Sequence, residues 1–241
     1  VYFTPHIGTN ISLYDSGDWD IFTFGELSLS ISGYTADTNY DIFIYNNSGA
    51  LTLQSVAWTD DTNRATDIIT LNGVYVLSGA TTRRYLGTIR TTATTGQCED
   101  SRERRFVWSY YNQVKKDQLT THVATTHTYS SSIWRATNND TTVGVKRYLL
   151  VLGLDTFVTV SVNNHSKYMY TAAALDGTTA SELYGGGGLS GHNGDPSYNG
   201  QTFALFKDYV GPGYHFIQEM EYGINASSLG FNSEIAGDHL C

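Results

Sequence analysis

His192 and Asp195 stand three positions apart in a stretch rich in Gly, Asn and Ser. Of all side chains in the sequence they come closest to a pair that could orient a base or bind an ion. A histidine in a polar loop is far more often only solvated. The pair is therefore read, with the neighbouring Tyr198, as a contact for a glycan or protein partner, and no residue is assigned a catalytic role. Two acidic spots raise glycoside hydrolysis or calcium binding. Asp15 to Asp20 (DSGDWD) mixes acids with Ser and Gly as oxygen-rich cation loops do, but it lacks a closing glutamate, and a turn is the favoured reading. Asp60-Asp61 follows Trp58, and a hydrolase would need its two carboxylates to flank one groove.

The remaining candidates are weaker. His122 and His127 are five apart with no carboxylate at ligand spacing, and His6, His165, His215 and His239 are scattered. Gly185 to Gly188 lacks the lysine of a phosphate cradle, so its meaning is backbone freedom. Cys98 and Cys241 have no zinc-like spacing. Three fates stay open for them: an intrachain disulfide, an intermolecular bridge, or two free thiols. No metal or cofactor is expected.

The elements that must position these residues are strands. Thr, Ser and Tyr are abundant, aromatics make up 13% and charged residues only 15%, a balance that favours pleated, half-buried surfaces over disorder. A net charge of −9 argues against nucleic acid as a partner, since phosphate contacts need Lys and Arg. No apolar run reaches the roughly 20 residues needed to span a bilayer, so membrane insertion is not expected. No secretory leader is visible, and a first residue of Val1 suggests a processed product or the ordered part of a longer protein.

Turn signals divide the chain into short alternating runs. Tyr40 to Tyr45 places Tyr40, Ile42 and Ile44 on one face and Asp41, Phe43 and Tyr45 on the other. Asn46 to Gly49 and Asn72-Gly73 predict hairpins. Strands are also expected over 119–125, 128–135, 143–152, 157–162, 167–174, 201–207 and 214–222, with a long loop over 185–200. Between the halves lies CEDSRERRFVWSYYNQV. Asp100 and Glu103 have capping-box spacing, and Val107, Tyr110, Tyr111 and Val114 fall at helical spacing. Phe106, Trp108 and Tyr110 alternate as in a strand, but a short helix is preferred. The expected fold is all-β, an antiparallel sandwich or jelly roll. It consists of a β module over 1–96, a connecting segment over 97–118 as a short helix or strand, and a β-sandwich module over 119–241.

Three segments carry a resemblance. They are VYFTPHIGTNISLYDSGDWDIFTF (1–24), the stretch from Asn39 to Arg90 with its YDIF, WTDDTNRA, NGVYV and RRYLGT runs, and the GQCEDSRERRFVWSYYN of 96–112. Weaker echoes are Ser132-Ile133-Trp134-Arg135 and Leu175-Asp176-Gly177-Thr178-Thr179-Ala180. Together they resemble a recurrent module of tailed-bacteriophage virion proteins, found in fibres, spikes and head-decoration proteins. The resemblance implies a structural, surface-exposed role on the phage particle and no enzymatic activity. It also implies a homo-oligomer, with a trimer favoured, and contacts with other virion proteins and with host-surface glycans. A polysaccharide depolymerase and a purely architectural capsid or tail clamp are the competing expectations. Cys98 departs from the pattern, which more often has Thr there, and inter-chain bridges through Cys98 and Cys241 are the expectation this departure adds.

Overall fold

The computed structural model describes residues 1–119, 127–143, 147–167, 169–178, 183–184, 200–223 and 229–240. Apart from one 3₁₀ turn over Thr137–Asn139, the elements among the described residues are strands, and every pairing between them except one is antiparallel. The expected all-β class is what the chain adopts. It forms two compact units, 1–99 with 106–113 and 100–105 with 114–241, so the expected connecting segment is shared out between them.

The first unit contains β1 (Tyr2–Phe3), β2 (Asn10–Asp15), β3 (Asp18–Thr23), β4 (Leu27–Ser28), β5 (Asn39–Asn47), β6 (Ala50–Ala57), β7 (Ile68–Leu71), β8 (Val74–Leu77) and β9 (Ala80–Arg90). After β10 (Arg104–Arg105), which belongs to the second unit, β11 (Val107–Ser109) returns to the first. The main sheet runs β6-β5-β9-β8-β7, and β11 takes the edge of β9 beyond β8. Three hairpins turn on two residues with positive φ: Ser16-Gly17 (52° and 100°), Ser48-Gly49 (54° and 96°) and Asn72-Gly73 (51° and 84°). This backbone matches the twist of the flanking strands, and the second position of each tolerates it because it has no Cβ. The DSGD run is therefore a hairpin turn.

Alternation along β5 sorts its side chains as expected. Tyr40, Ile42 and Ile44 join Ile11, Leu13, Phe24, Leu53, Leu86 and Ile89 in one core. Fully burying each such side chain contributes roughly 1.5–3 kcal/mol. Asp41 and Phe43 face the other way, and the Phe43 ring meets Tyr85 at 5.8 Å. A bulge between Ile42 and Phe43 leaves Leu86 as the extra residue on β9, so that it drops into the core beside Ile42.

The helix preferred for 106–114 is not formed. Val107–Ser109 is a strand with Trp108 opposite Thr88, and Phe106 and Trp108 are buried. Alternation prevailed because β9 offers an open ladder and an apolar surface, which a helix would have left unpaired. Nor do Asp100 and Glu103 cap a helix. Ser101 N donates to Arg104 O at 2.8 Å, Arg104 N donates to Ser101 Oγ at 3.1 Å, and Asp100 bridges Arg105 across this tight turn.

The second unit adds β12 (Lys115–Leu119), β13 (His127–Thr128), β14 (Arg135–Ala136), β15 (Arg147–Leu152), β16 (Thr156–Lys167), β17 (Met169–Leu175), β18 (Leu183–Tyr184), β19 (Gly200–Val210), β20 (Gly213–Gly223) and β21 (Leu229–Leu240). One sheet runs β10-β15-β20-β17-β18 with β14 on β20, and the other runs β12-β21-β16-β19 with β13 on β21. β17 lies against β16 and β19, joining the sheets as a sandwich. Two expected strands are shorter or split: only the ends of 128–135 are strand, in β13 and β14, with 129–134 a loop between them, and β15 begins at Arg147. Most of 119–125 lies outside the described residues. β21 was not foreseen, because its Gly, Asn and Asp residues are poor strand formers. It forms because β16 and β12 border it on both sides.

Candidate functional site

The residues behind the resemblance converge in the first unit. β5 supplies Asn39 and Asp41, β9 supplies Tyr85, Thr88 and Arg90, and the turn after β6 supplies Trp58, Asp60, Asp61 and Arg64. Asp60 closes that turn. Its Oδ1 accepts from the backbone N–H groups of Thr62 (2.8 Å) and Asn63 (2.7 Å), and the Asn63 amide donates to both of its oxygens. The Asn63 amide and these backbone bonds lower its pKa to about 2. The closed turn brings Arg64 back opposite Trp58, with the guanidinium 4.3 Å from the indole centre.

Arg64 meets Asp41 from there, Nε donating to Oδ2 at 2.7 Å and NH2 to Oδ1 at 3.3 Å. Thr88 donates to Asp41 Oδ1 at 2.7 Å, and so it must accept from the Tyr85 hydroxyl at 2.6 Å. Burial raises the pKa of Asp41, with Arg64, Thr88 and Trp58 acting against it. Burial pushes Tyr85 well above its usual range, and the Asp41 charge adds to this. Beside this centre, Arg90 NH1 donates to Asn39 Oδ1 at 2.9 Å and to Asp61 Oδ1 at 2.6 Å. The centre holds strand to strand. Asp60 and Asp61 also border a hollow of about 380 Å³ with Asp37, Tyr40 and Trp58.

A larger cleft of about 620 Å³ opens elsewhere on the same unit, between the β1–β2 region and the residues that follow β11. Arg84 anchors its wall. Nε donates to the Tyr111 hydroxyl at 2.8 Å, NH1 donates to Ser12 O at 2.6 Å, and the guanidinium stacks 4.7 Å from the Tyr111 ring centre. Burial raises the Tyr111 pKa, and Arg84 opposes the shift. Tyr2 is 71% exposed, Ile7 95% and Tyr111 43%. Phe3 stacks on Phe24 at 4.9 Å to form an apolar flank. Tyr2, Phe3, Ile7, Ser12 and Phe24 lie in the opening segment, Arg84 and Tyr111 in the other two, and nothing in the sequence brings the three together. That juxtaposition comes from the β2–β9 packing.

His192, Asp195, Tyr198, Cys241 and His122 lie outside the described residues. Cys98 is a half-buried thiol, packed against the first unit's core, with its Sγ 3.5 Å from Phe106 O. In the second unit His127 does meet a carboxylate, one 94 positions away. Its Nε2 lies 2.5 Å from Oε2 of Glu221, whose other oxygen accepts from Arg135 Nε (2.7 Å) and Asn138 N (3.0 Å). His215 spans Asp176 Oδ2 (2.7 Å) and Gly211 O (2.9 Å) through its two ring nitrogens. Glu221 is fully buried, so this cluster ties β13, β14 and β20 together. Of the four tryptophans, Trp58 and Trp108 are buried, Trp134 packs on Ala172, Ala174 and Met220, and Trp19 is half-exposed against Tyr14.

Compared with known proteins, the chain matches no family model and no curated protein.

Proposed function

We propose that this chain is a surface-exposed structural component of a bacteriophage virion, of the fibre, spike or decoration kind. It works through contacts with further copies of itself, with neighbouring virion proteins and with host-surface glycans, and a homotrimer is the arrangement the resemblance implies. One observation carries the reading. The polar residues of the resembling segments, Asp41, Arg64, Tyr85 and Thr88, are spent on a buried hydrogen-bonded scaffold, while large aromatics such as Tyr2, Tyr111 and Tyr209 are left exposed. Exposed aromatics suit contact, since they offer large apolar faces with a polar tip at low entropic cost. Mass spectrometry of gradient-purified particles tests this reading. Peptides of the chain at the abundance of other structural proteins are expected, and their absence would overturn it.

A depolymerase is the second reading, and one feature favours it: Asp37, Asp60 and Asp61 border one hollow. Asp60, held ionised by its turn, is a poor proton donor. A reducing-end assay on host capsule with the purified chain is expected to stay at background.

A further inference from the structure

We infer that the cleft between Tyr2, Arg84 and Tyr111 is a binding site for an acidic saccharide, one carrying a carboxylate on its sugar ring. The inference rests on the virion-surface reading above and names the class of glycan that one surface takes. Three features of the cleft point to that chemistry. The first is charge. The chain carries a net −9, yet the lining of this cleft holds Arg84 and His6 and no Asp or Glu. Glu26 is adjacent and takes the Thr4 hydroxyl at 2.8 Å, but it does not line the cleft. A cationic hollow on an acidic protein attracts anions and repels neither sugar nor water.

The second feature is a guanidinium fixed in place. Nε is held by the Tyr111 hydroxyl and NH1 by Ser12 O, which leaves NH2 without a partner among the described residues. A guanidinium held at two of its three nitrogens presents its remaining N–H groups to a carboxylate with little further loss of side-chain freedom. The third feature is the pairing of aromatic faces with neutral donors. Tyr2, 71% exposed, gives a flat apolar surface of the kind that packs on the C–H face of a pyranose, while the Tyr111 ring, stacked under the Arg84 guanidinium, adds its exposed edge beside it. Asn10 and Asn112 are among the lining residues; Asn10 Oδ1 accepts from the Thr23 hydroxyl at 3.0 Å, and the Asn112 side-chain amide has no partner among the described residues. Amides can donate to and accept from sugar hydroxyls, whereas a site for a simple anion has no use for the flat aromatic wall. The volume of about 620 Å³ lies within the range of small-ligand sites.

The site is tested with the full chain by isothermal titration with three probes: tetragalacturonate, neutral maltotetraose and tetraglutamate. Tetragalacturonate is expected to bind saturably, at least about tenfold more tightly than either of the others, and to weaken as salt is raised. Tyr2→Ala, at an exposed position, should keep the unfolding midpoint and weaken binding by about fivefold or more. Arg84→Gln should abolish the preference for the acidic over the neutral sugar. No saturation by tetragalacturonate below ~10 mM would overturn the inference, as would equal binding of maltotetraose or tetraglutamate, or undiminished binding in Tyr2→Ala. Failure here, with the chain still found in purified particles, removes the site and leaves the virion reading standing. Absence from particles removes that reading whatever the titration gives.

Discussion

Arg64 and Asp41, 23 positions apart, form a two-point ion pair with Nε and NH2 at 2.7 and 3.3 Å from the two carboxylate oxygens, and Asp41 is almost wholly buried. The pair joins the turn after β6 to the first half of β5. Its partners Thr88 and Tyr85 extend it to β9, so one centre fixes three pieces of chain.

Removing Arg64 should cost more than the pair contributes, because a carboxylate is then left buried and uncompensated. Arg64→Gln is expected to lower stability by about 3–5 kcal/mol at neutral pH. The loss should shrink on acidification. Burial already raises the Asp41 pKa in the folded chain, and without Arg64 it rises further, so protonation relieves the variant before it affects the unfolded chain. Urea midpoints of both proteins at pH 7 and at about pH 4 measure this. A deficit that stays constant with pH would contradict it.

Asp60 gives a slope of the opposite sign. Its folded pKa of about 2 lies below the ordinary 3.8, so its stabilisation is fully present above the ordinary value and is lost as pH falls from there through about 2. In Asp60→Asn that part of the acid unfolding profile should be missing, with the midpoint flatter than wild type between about pH 4 and pH 2. Thermal scans across this range check it, and parallel profiles would refute the charged role.

Gly87 of β9 faces the backbone of β11 so closely that a Cβ there would run into the Trp108 carbonyl oxygen. Gly87→Ala should therefore destabilise the first unit by about 3 kcal/mol or prevent its folding, beyond any effect of strand propensity. An unchanged chemical-denaturation midpoint would show that β11 does not pair with β9 in this register.

In the second unit Glu221 is buried under His127 and Arg135. A double-mutant cycle with His127→Ala and Glu221→Gln should give a coupling of about 1 kcal/mol or more. Strict additivity of the two losses would deny that the pair tethers β13 to β20.

What could be read in the sequence was what is decided locally. Asn72-Gly73 turns where it should because only a few residue types accept two successive positive φ values, and β5 alternates because one face of it meets the core. The 106–114 segment was misread because its apolar residues satisfy both periods, and the choice rested with β9, which is not in the segment. Long-range meetings left no local trace. His127 finds Glu221 across 94 positions, and Arg84 reaches Ser12 across 72. The cleft, built wholly from such meetings, was invisible in the sequence for that reason. The acidic turn at Asp60 was visible as a spot but not as a structural lock, because its meaning depends on where Arg64 is delivered.

Gold-labelled antibody to the purified chain, applied to intact phage particles and imaged by electron microscopy, tests the central claim most directly. Label on the outer surface of the particle, at a fixed and repeated position, is the expected result. Unlabelled particles, with the chain recovered only free in the lysate, would contradict it.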